Sequence, residues 1–538
     1  MVVSRGAPIG VILLQKCCSL GKYRRTIYQT SVLILTFIAY TTFHMSRRPL
    51  AVVKNSLNQD CSRLTPPAGM ILNNVTIYSW CNWAPFDKAD ANRLLGVLDS
   101  VYVFAYAICM FLSGMLAERI DLRYYLTFGM LLSGLFTYFF GMAYYLHIHS
   151  FAFFISIQVL AGAVQCTGWP GVVACVGNWF GKGRRGLIFG IWNAHLYVGN
   201  ILGAYIAGYF VVQNWGLSFI IPGAIVGAVG FILFLFLVPH PEDVNCSPTV
   251  HHSPDKNKNS SDLVCPDRNG TQLKSEIITV SEDNGFNEKS PLTTKIPQEV
   301  ERQHGKKEAI TFLNAVKIPG VIEFSLCLFF SKLVSYTFLF WLPRYLALTT
   351  GVSTQTSAYL SIAFDVGGIL GGVIAGIISD HTGASALTCV GFLGLAVPSL
   401  FIFEAYGNVN NVTNICLQLT CGALVNGPYA LITTAVSAEL GTHQSIKRNS
   451  KALSTVTAII DGTGSIGAAV GPLLAGMVSE ISWSYVFYMM MVADLCALVS
   501  LLRTALKEAR QCYGLQLSCI LPSPCCRSNK GTYQRIER

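Results

Sequence analysis

The sequence predicts an all-α polytopic membrane protein: twelve transmembrane helices in a six-plus-six arrangement, with both termini in the cytosol. Three observations carry this. Charged residues make up only 12% of the 538 and hydrophobic residues 52%, whereas soluble domains are about 25% charged. Apolar stretches of ~20 residues, the length needed to cross hydrocarbon as a helix, recur along the chain. A polar segment poor in aromatic residues, 239–318, divides those stretches evenly.

The expected spans are 27–57, 94–117, 124–146, 151–177, 186–209 and 217–238 in the first half, and 320–342, 355–379, 384–404, 412–437, 452–477 and 482–503 in the second. Backbone amides in hydrocarbon must be bonded within the segment, so such spans are helices, and the short alternating strands of a barrel are absent. The expected organisation is a cytosolic N-terminus (1–26), a six-helix bundle (27–238) with a lumenal loop (58–93), and a disordered cytosolic linker (239–318). A second bundle (319–503) and a cytosolic tail (504–538) follow.

The net charge of +10 follows from 38 basic and 28 acidic residues. It reads as a topology signal rather than a nucleic-acid footprint, because the basic residues sit in short loops on one side. They are Lys16, Lys22, Arg24 and Arg25 before the first span, Arg119 and Arg123 after the second, and Lys182, Arg184 and Arg185 after the fourth. Lys447, Arg448 and Lys451 follow the tenth, and Arg503, Lys507 and Arg510 the last. On the opposite side, only Arg344 interrupts the loops beyond the first. That first loop carries the sequon Asn74-Val75-Thr76, expected to be glycosylated, and Cys61 and Cys81, a candidate disulfide in an oxidising compartment. Asn411 heads a second outward sequon at a helix end, while Asn259 and Asn269 fall in the cytosolic linker. No metal-ligand spacing occurs, and no cofactor is expected.

The halves echo each other. Gly114-Met115-Leu116-Ala117-Glu118 after the second span matches Gly376-Ile377-Ile378-Ser379-Asp380 after the eighth, a glycine four residues before an acid at the same turn. Gly368, Gly372 and Gly376, and likewise Gly467 and Gly471, are spaced by four and read as helix-packing positions.

A charge at the bilayer centre costs at least about 2.5–3.5 kcal/mol and needs a partner or a function. Arg47 and Arg48 lie inside the first span if it runs to Leu57, Lys332 inside the seventh, Asp365 inside the eighth and Asp461 inside the eleventh. Asp99 and Glu323 read as helix-end residues. The first and seventh spans are equivalent in the two halves, so Arg47 and Lys332 would face each other and clamp a dianion, guanidinium forking onto phosphate oxygens and ammonium acting as a point charge. Pairing of these cations with Asp365 and Asp461 is the competing reading. His195 in the fifth span is a further candidate contact, and Tyr40, Tyr106, Trp169 and Tyr336 could line a sugar site.

Several motifs run together. They are Ser46-Arg47-Arg48, Thr167-Gly168-Trp169-Pro170, Gly177-Asn178-Trp179-Phe180-Gly181-Lys182-Gly183-Arg184-Arg185-Gly186 and Ile191-Trp192-Asn193. The second half has Trp341-Leu342-Pro343-Arg344-Tyr345-Leu346, Asn426-Gly427-Pro428-Tyr429-Ala430-Leu431-Ile432, Ala438-Glu439-Leu440 and Gly464-Ser465-Ile466-Gly467-Ala468-Ala469-Val470-Gly471-Pro472. In these the sequence resembles the organophosphate:phosphate antiporter branch of the major facilitator superfamily, and within it the eukaryotic sugar-phosphate exchangers of solute carrier family 37. The resemblance implies a phosphate arginine at Arg47, with Arg48 beside it, and adds Asn426 to the substrate contacts. It departs where bacterial relatives carry a seventh-helix arginine at the position of Ser335, with Lys332 one turn earlier, and a second-helix lysine at Met110. His195 stands one residue before the related histidine, a rotation of ~100°.

The expected function is exchange of a sugar phosphate, glucose 6-phosphate, for inorganic phosphate by alternating access, in the endoplasmic reticulum membrane, as a transporter and not an enzyme. The expected partners are these small molecules and membrane lipid, with no nucleic acid. The alternatives are a proton-coupled organic-anion symporter using Asp365 or Asp461, and a membrane phosphatase or sensor.

Overall fold

The computed structural model describes residues 6–17, 23–61, 64–66, 79–117, 119–180, 192–247, 312–440 and 452–520. Asn74, Glu118, Lys182, Arg184, Arg185, Lys447, Arg448 and Lys451 lie outside the described residues. Every regular element among the described residues is helical. In chain order the first half contains α1 (Ile9–Cys17), α2 (Arg24–Arg47), α3 (Pro49–Leu57), α4 (Ala91–Ala117), α5 (Leu122–Tyr145), α6 (Phe151–Gln165), α7 (Gly168–Trp179), α8 (His195–Val211) and α9 (Leu217–Phe236). The second contains α10 (Phe312–Val316), α11 (Val321–Thr350), α12 (Thr354–Leu360), α13 (Ile362–Thr382), α14 (Ser385–Tyr406), α15 (Asn411–Leu431), α16 (Ser437–Leu440), α17 (Ala452–Ser479) and α18 (Trp483–Ile520).

Eleven of these segments are long and apolar enough to cross a membrane. The expected span at 186–209 is represented by α8, which begins at His195. Inside the segment read as a linker, Pro241–Val244 forms a 3₁₀ turn with Pro241 and Val244 buried, so packed structure extends past residue 239.

Three expected helices are each broken in two, and every break has a cause. The first span divides at Arg48, because Pro49 has no amide hydrogen to donate. Arg48 keeps helical angles (φ −76°, ψ −30°), and proline is well placed at the start of α3, so α2 and α3 follow one another through the bilayer. The fourth span divides between Gln165 and Gly168, just before Pro170. The eighth divides at Ser361, whose hydroxyl turns back to the Ala358 carbonyl at 2.7 Å.

Close helix approach runs through glycines, though not all of those expected. Gly467 and Gly471 do face α11, where an added Cβ would lie 2.0 Å from the Phe329 oxygen and 2.4 Å from that of Leu333. In α13, however, the seam against α15 is Gly367 and Gly371, whose Cβ positions fall 2.2 Å and 2.0 Å from the Leu419 and Ala423 oxygens. Gly376 meets nothing within 4 Å, and Gly372 only the Ala430 Cβ at 3.2 Å. Gly368 packs as expected, an added Cβ falling 2.5 Å from the Tyr197 ring, so the four-residue spacing holds at Gly368 and fails at Gly376.

The halves meet through α3 and α11, α4 and α17, and α8 with α12 and α13. Ser100 donates to the Ala469 oxygen at 2.8 Å, and the Arg93 amide donates to Glu480 at 3.2 Å. Tyr205 stacks on Tyr359 with ring centroids 5.3 Å apart. Among the described residues, the hydrogen bonds joining the halves gather toward the end that carries the first loop, where a disulfide joins Cys61 to Cys81.

Gly371→Leu is expected to lower the melting temperature of the detergent-solubilised protein, with an overpacking cost of about 1–3 kcal/mol or more. Gly376→Ala should leave it unchanged. Size-exclusion profiles after graded heating read both.

Candidate functional site

Arg47 lies at the end of α2, 7% exposed, against side chains of α4 and α6. Its Nε donates to Gln165 Oε1, and its guanidinium carbon sits 4.9 Å from the centre of the Tyr106 ring. Gln165 is a hub: its oxygen also accepts from the Tyr102 hydroxyl, and its amide donates to Ser46 at 3.0 Å and Ser133 at 3.1 Å. With every bond of the glutamine amide committed, Arg47 is held in one orientation. Its Nη2 has no hydrogen-bond partner, and among the described residues no carboxylate lies within ion-pair distance.

Lys332 and Arg48, the other cations expected at the site, each have an acid beside them. Lys332 on α11 reaches Asp461 on α17 at 2.7 Å and Ser465 at 3.4 Å, under the Tyr429 ring at 5.5 Å. Of the two competing readings, Lys332 therefore has an acidic partner and Arg47 does not. Arg48 points away from Arg47, donating to the Leu339 oxygen and to Ser361 at 2.8 Å, with Asp365 at 3.7 Å. Asp365 is thus the neighbour of Arg48, and Asn200 of α8 also donates to it at 2.9 Å.

Pro343 explains the Leu339 contact. A proline removes the hydrogen bond to the carbonyl four residues earlier, which leaves Leu339 free to accept from Arg48. The Trp341-Leu342-Pro343 motif thereby supplies an acceptor to the opposite half.

Two expectations need correction. Asp99 is not a helix-end residue: it is fully buried and paired with Lys54, which also donates to the Phe340 oxygen at 3.0 Å and lies 3.9 Å from the Trp341 ring centre. Arg344 is not a loop residue. It lies inside α11, 2% exposed, and bonds Asn92 at 2.7 Å, Asn58 Oδ1 at 2.6 Å, and the Asn58 and Lys54 oxygens at 3.0 and 3.2 Å. Lys54 was within reach of the rule that singled out Arg47, since it too is a charge inside the first apolar span.

His195 is fully buried, with its ring 4.6 Å from that of Tyr40 and 4.4 Å from that of Trp192. Trp169 lies 5.4 Å from Tyr40, which closes an aromatic box beside Arg47. A second histidine, His44, stacks near His195 at 6.1 Å, one helix turn before Arg47. Tyr336 and Asn426 line the same cleft as His44, and Ser335 donates to Asn426 at 2.6 Å. The structure therefore gathers Arg47, Tyr40, Tyr106, Trp169 and His195 on the first half, and Lys332, Tyr336, Asn426 and Asp461 on the second. Arg48 and Asp365 belong to the contact between them.

The sequence profile of the Major Facilitator Superfamily matches residues 32–446. The chain belongs to this superfamily. Its curated relatives within the superfamily include the human "Glucose-6-phosphate exchanger SLC37A2", 52% identical over 478 residues, spanning 89% of this chain and 92% of the relative. The zebrafish (Danio rerio) protein of the same name is also 52% identical, over 484 residues, 90% of this chain and 93% of its own. The human "Glucose-6-phosphate exchanger SLC37A1" is 50% identical over 503 residues, 89% and 93% respectively. Among solved structures, a bacterial homologue of the human lysosomal transporter Spinster, inward-facing and unoccupied, superposes with a TM-score of 0.58 at 15% identity, over 89% of this chain and 98% of that one. That likeness concerns the superfamily fold, and the chain is a multi-pass membrane protein of it.

The Lys54–Asp99 pair generates a prediction. Lys54→Ala strands a buried carboxylate and should destabilise by about 3–5 kcal/mol, whereas Lys54→Met with Asp99→Leu should recover most of the loss. A double-mutant cycle on thermal stability measures the difference.

Proposed function

We propose that this chain is an antiporter that exchanges a sugar phosphate, glucose 6-phosphate, for inorganic phosphate across the endoplasmic reticulum membrane, with both termini in the cytosol. The observation that carries this is Arg47: a buried guanidinium held in place by Gln165, with an unpartnered nitrogen and no acid beside it. Phosphate supplies the missing negative charge and a matching bidentate acceptor. The names of relatives at about half identity supply the sugar phosphate and the exchange.

In this mechanism Arg47 takes phosphate on the first half. Lys332, which shares its charge with Asp461 at 2.7 Å, turns toward the anion from the second. The bound anion draws the halves together on the linker side. Opening the other side then requires Arg48 to leave Leu339, Ser361 and Asp365, and Lys54 to leave Phe340. An empty carrier would break those bonds with Arg47 still uncompensated, so it reorients poorly and exchange is obligatory. Asp365 and Asp461 are both engaged by donors, which supports exchange over proton-coupled symport. Substrate transport in superfamilies of this fold needs no covalent step, so no enzymatic role is assigned.

Proteoliposomes loaded with phosphate test the reading. Glucose 6-phosphate uptake should require internal phosphate and should not follow an imposed pH gradient without it. Arg47→Ala should lower exchange by about a hundredfold, in keeping with loss of about 1.5–3 kcal/mol per hydrogen bond to a charged group. Lys332→Ala should also impair exchange. Full exchange in both variants would sink the clamp.

A further inference from the structure

On the side of the first loop, opposite the linker, a half-open chamber of about 660 Å³ lies where the two halves meet. Trp80 and Trp83 of the loop, Tyr144 at the end of α5 and Trp215 just before α9 form its aromatic wall. Gln59 and Asn214 line it from the first half, and Ser353 and Gln355, at the start of α12, from the second. The first-half wall is tied down at several points. The disulfide joins Cys61 to Cys81, the Trp83 amide donates to the Leu57 oxygen at 2.9 Å, and the Gln59 amide donates to Asn82 Oδ1 at 2.7 Å. The Trp83 ring packs at 5.7 Å on Tyr144 and 5.1 Å on Trp215, and its Nε1 donates to the Ile148 oxygen at 3.1 Å.

The lining selects the chemistry of an occupant. None of the described residues that line the chamber is charged, so it offers an anion no counter-charge and a metal ion no carboxylate. A purely apolar ligand would strand the amides. Asn214 gives its oxygen to the Leu217 amide at 3.0 Å and keeps Nδ2 free among the described residues. Gln59 and Gln355 donate to the Ser56 oxygen at 3.4 Å and the Tyr359 hydroxyl at 3.2 Å, and each keeps Oε1 free in the same sense. Trp215, 5% exposed, has its Nε1 donor just beneath the wall without an acceptor. Free donors and acceptors around indole rings match a neutral sugar. Its hydroxyls both donate and accept, and the C–H face of its ring packs flat on an indole, whose face is electron-rich. The size agrees as well, since pockets for small ligands are about 300–1,000 Å³, with aromatic walls and a few placed polar groups.

We propose that this chamber binds a neutral, unphosphorylated saccharide or glycoside, and that the bound sugar holds the first-loop side closed. It is distinct from the exchange site: neither Arg47 nor Lys332 lines it, and its walls are the ends of helices and the loop beyond them. A ligand there touches Gln59, Asn214 and the indole rings of one half, and Ser353 and Gln355 of the other. Separating the halves on this side would divide those contacts. A ligand that binds one of two states better shifts the protein toward that state. The sugar thus acts as a brake on alternating access and not as cargo, a consequence that, unlike the binding itself, rests on the exchange reading above.

The test uses proteoliposomes, because maltoside micelles would themselves present a saccharide to the chamber. Radiolabelled maltose should bind saturably, and neither phosphate nor glucose 6-phosphate should displace it. Trp80→Ala in the first-half wall and Gln355→Ala in the second should each raise the maltose dissociation constant about tenfold, while phosphate homoexchange without maltose changes less than about twofold. In the wild type, saturating maltose should lower the maximal rate of phosphate homoexchange about fivefold without raising the half-saturating phosphate concentration. Absence of saturable binding would overturn the proposal, and so would unchanged affinity in both variants. Displacement by glucose 6-phosphate would put the sugar in the exchange site and overturn it equally. Maltose binding that leaves homoexchange unaltered would overturn the brake. If maltose binds as expected but the wild type performs no phosphate homoexchange, the antiport reading fails and the saccharide site stands.

Discussion

The arrangement of this transporter depends on one constraint: a cation buried in the bilayer must be compensated. Lys54 has Asp99, Lys332 has Asp461, and Arg48 has Asp365 together with a serine and a backbone carbonyl. Arg344 has no carboxylate but four oxygen acceptors. Arg47 differs from all of these in having neither a carboxylate nor a backbone carbonyl among its bonded acceptors: its guanidinium is fixed by one neutral amide and an aromatic face, and its Nη2 is unpartnered. Burying an uncompensated charge is expensive. The surrounding network of Gln165, Tyr102, Ser46 and Ser133 makes the expense a stable feature of the fold, by denying Arg47 another orientation.

The same constraint shapes the contact between the halves. Three cations reach across it, and most of their acceptors are backbone carbonyls near the Pro343 break in α11 or the ends of α3. Carbonyl acceptors are neutral, so these contacts close the gap without a second set of charges to be desolvated on each closure. A contact made of strongly paired acids and bases would be harder to reverse. This polar, mostly neutral seam suits a protein that must open and close it in each cycle.

Much of this could be read from residues alone, and the rest could not for definite reasons. Hydropathy gave the helical class, and the polar segment gave the division into halves. Arg47 stood out because two arginines interrupt an apolar span. Lys54 and Asp99 were harder, since each sits near the end of its apolar stretch and a window average assigns such charges to the interface. Arg344 follows a proline and so read as the start of a loop, yet α11 continues through Pro343 to Thr350. Helix rotation decided the remainder: Gly367 and Gly371 carry the seam of α13 with α15 while Gly368 faces Tyr197 of the other half and Gly376 packs on nothing, and Arg48 turns from Arg47 toward the other half. Pairings that join residues about 300 positions apart, such as Arg48 with Leu339 and Ser361, leave no local signal. His44 is a single histidine in an apolar helix, and only the cleft it shares with Tyr336 and Asn426 distinguishes it.

The most direct test of the account is the thermal stability of purified protein with and without inorganic phosphate, compared between the wild type and Arg47→Gln. Because Arg47 carries an uncompensated charge, the variant should melt at a higher temperature than the wild type without phosphate, and should gain nothing from phosphate that stabilises the wild type. A variant that melts lower and is still stabilised by phosphate would show that Arg47 is compensated by the protein itself and is not the anion's partner.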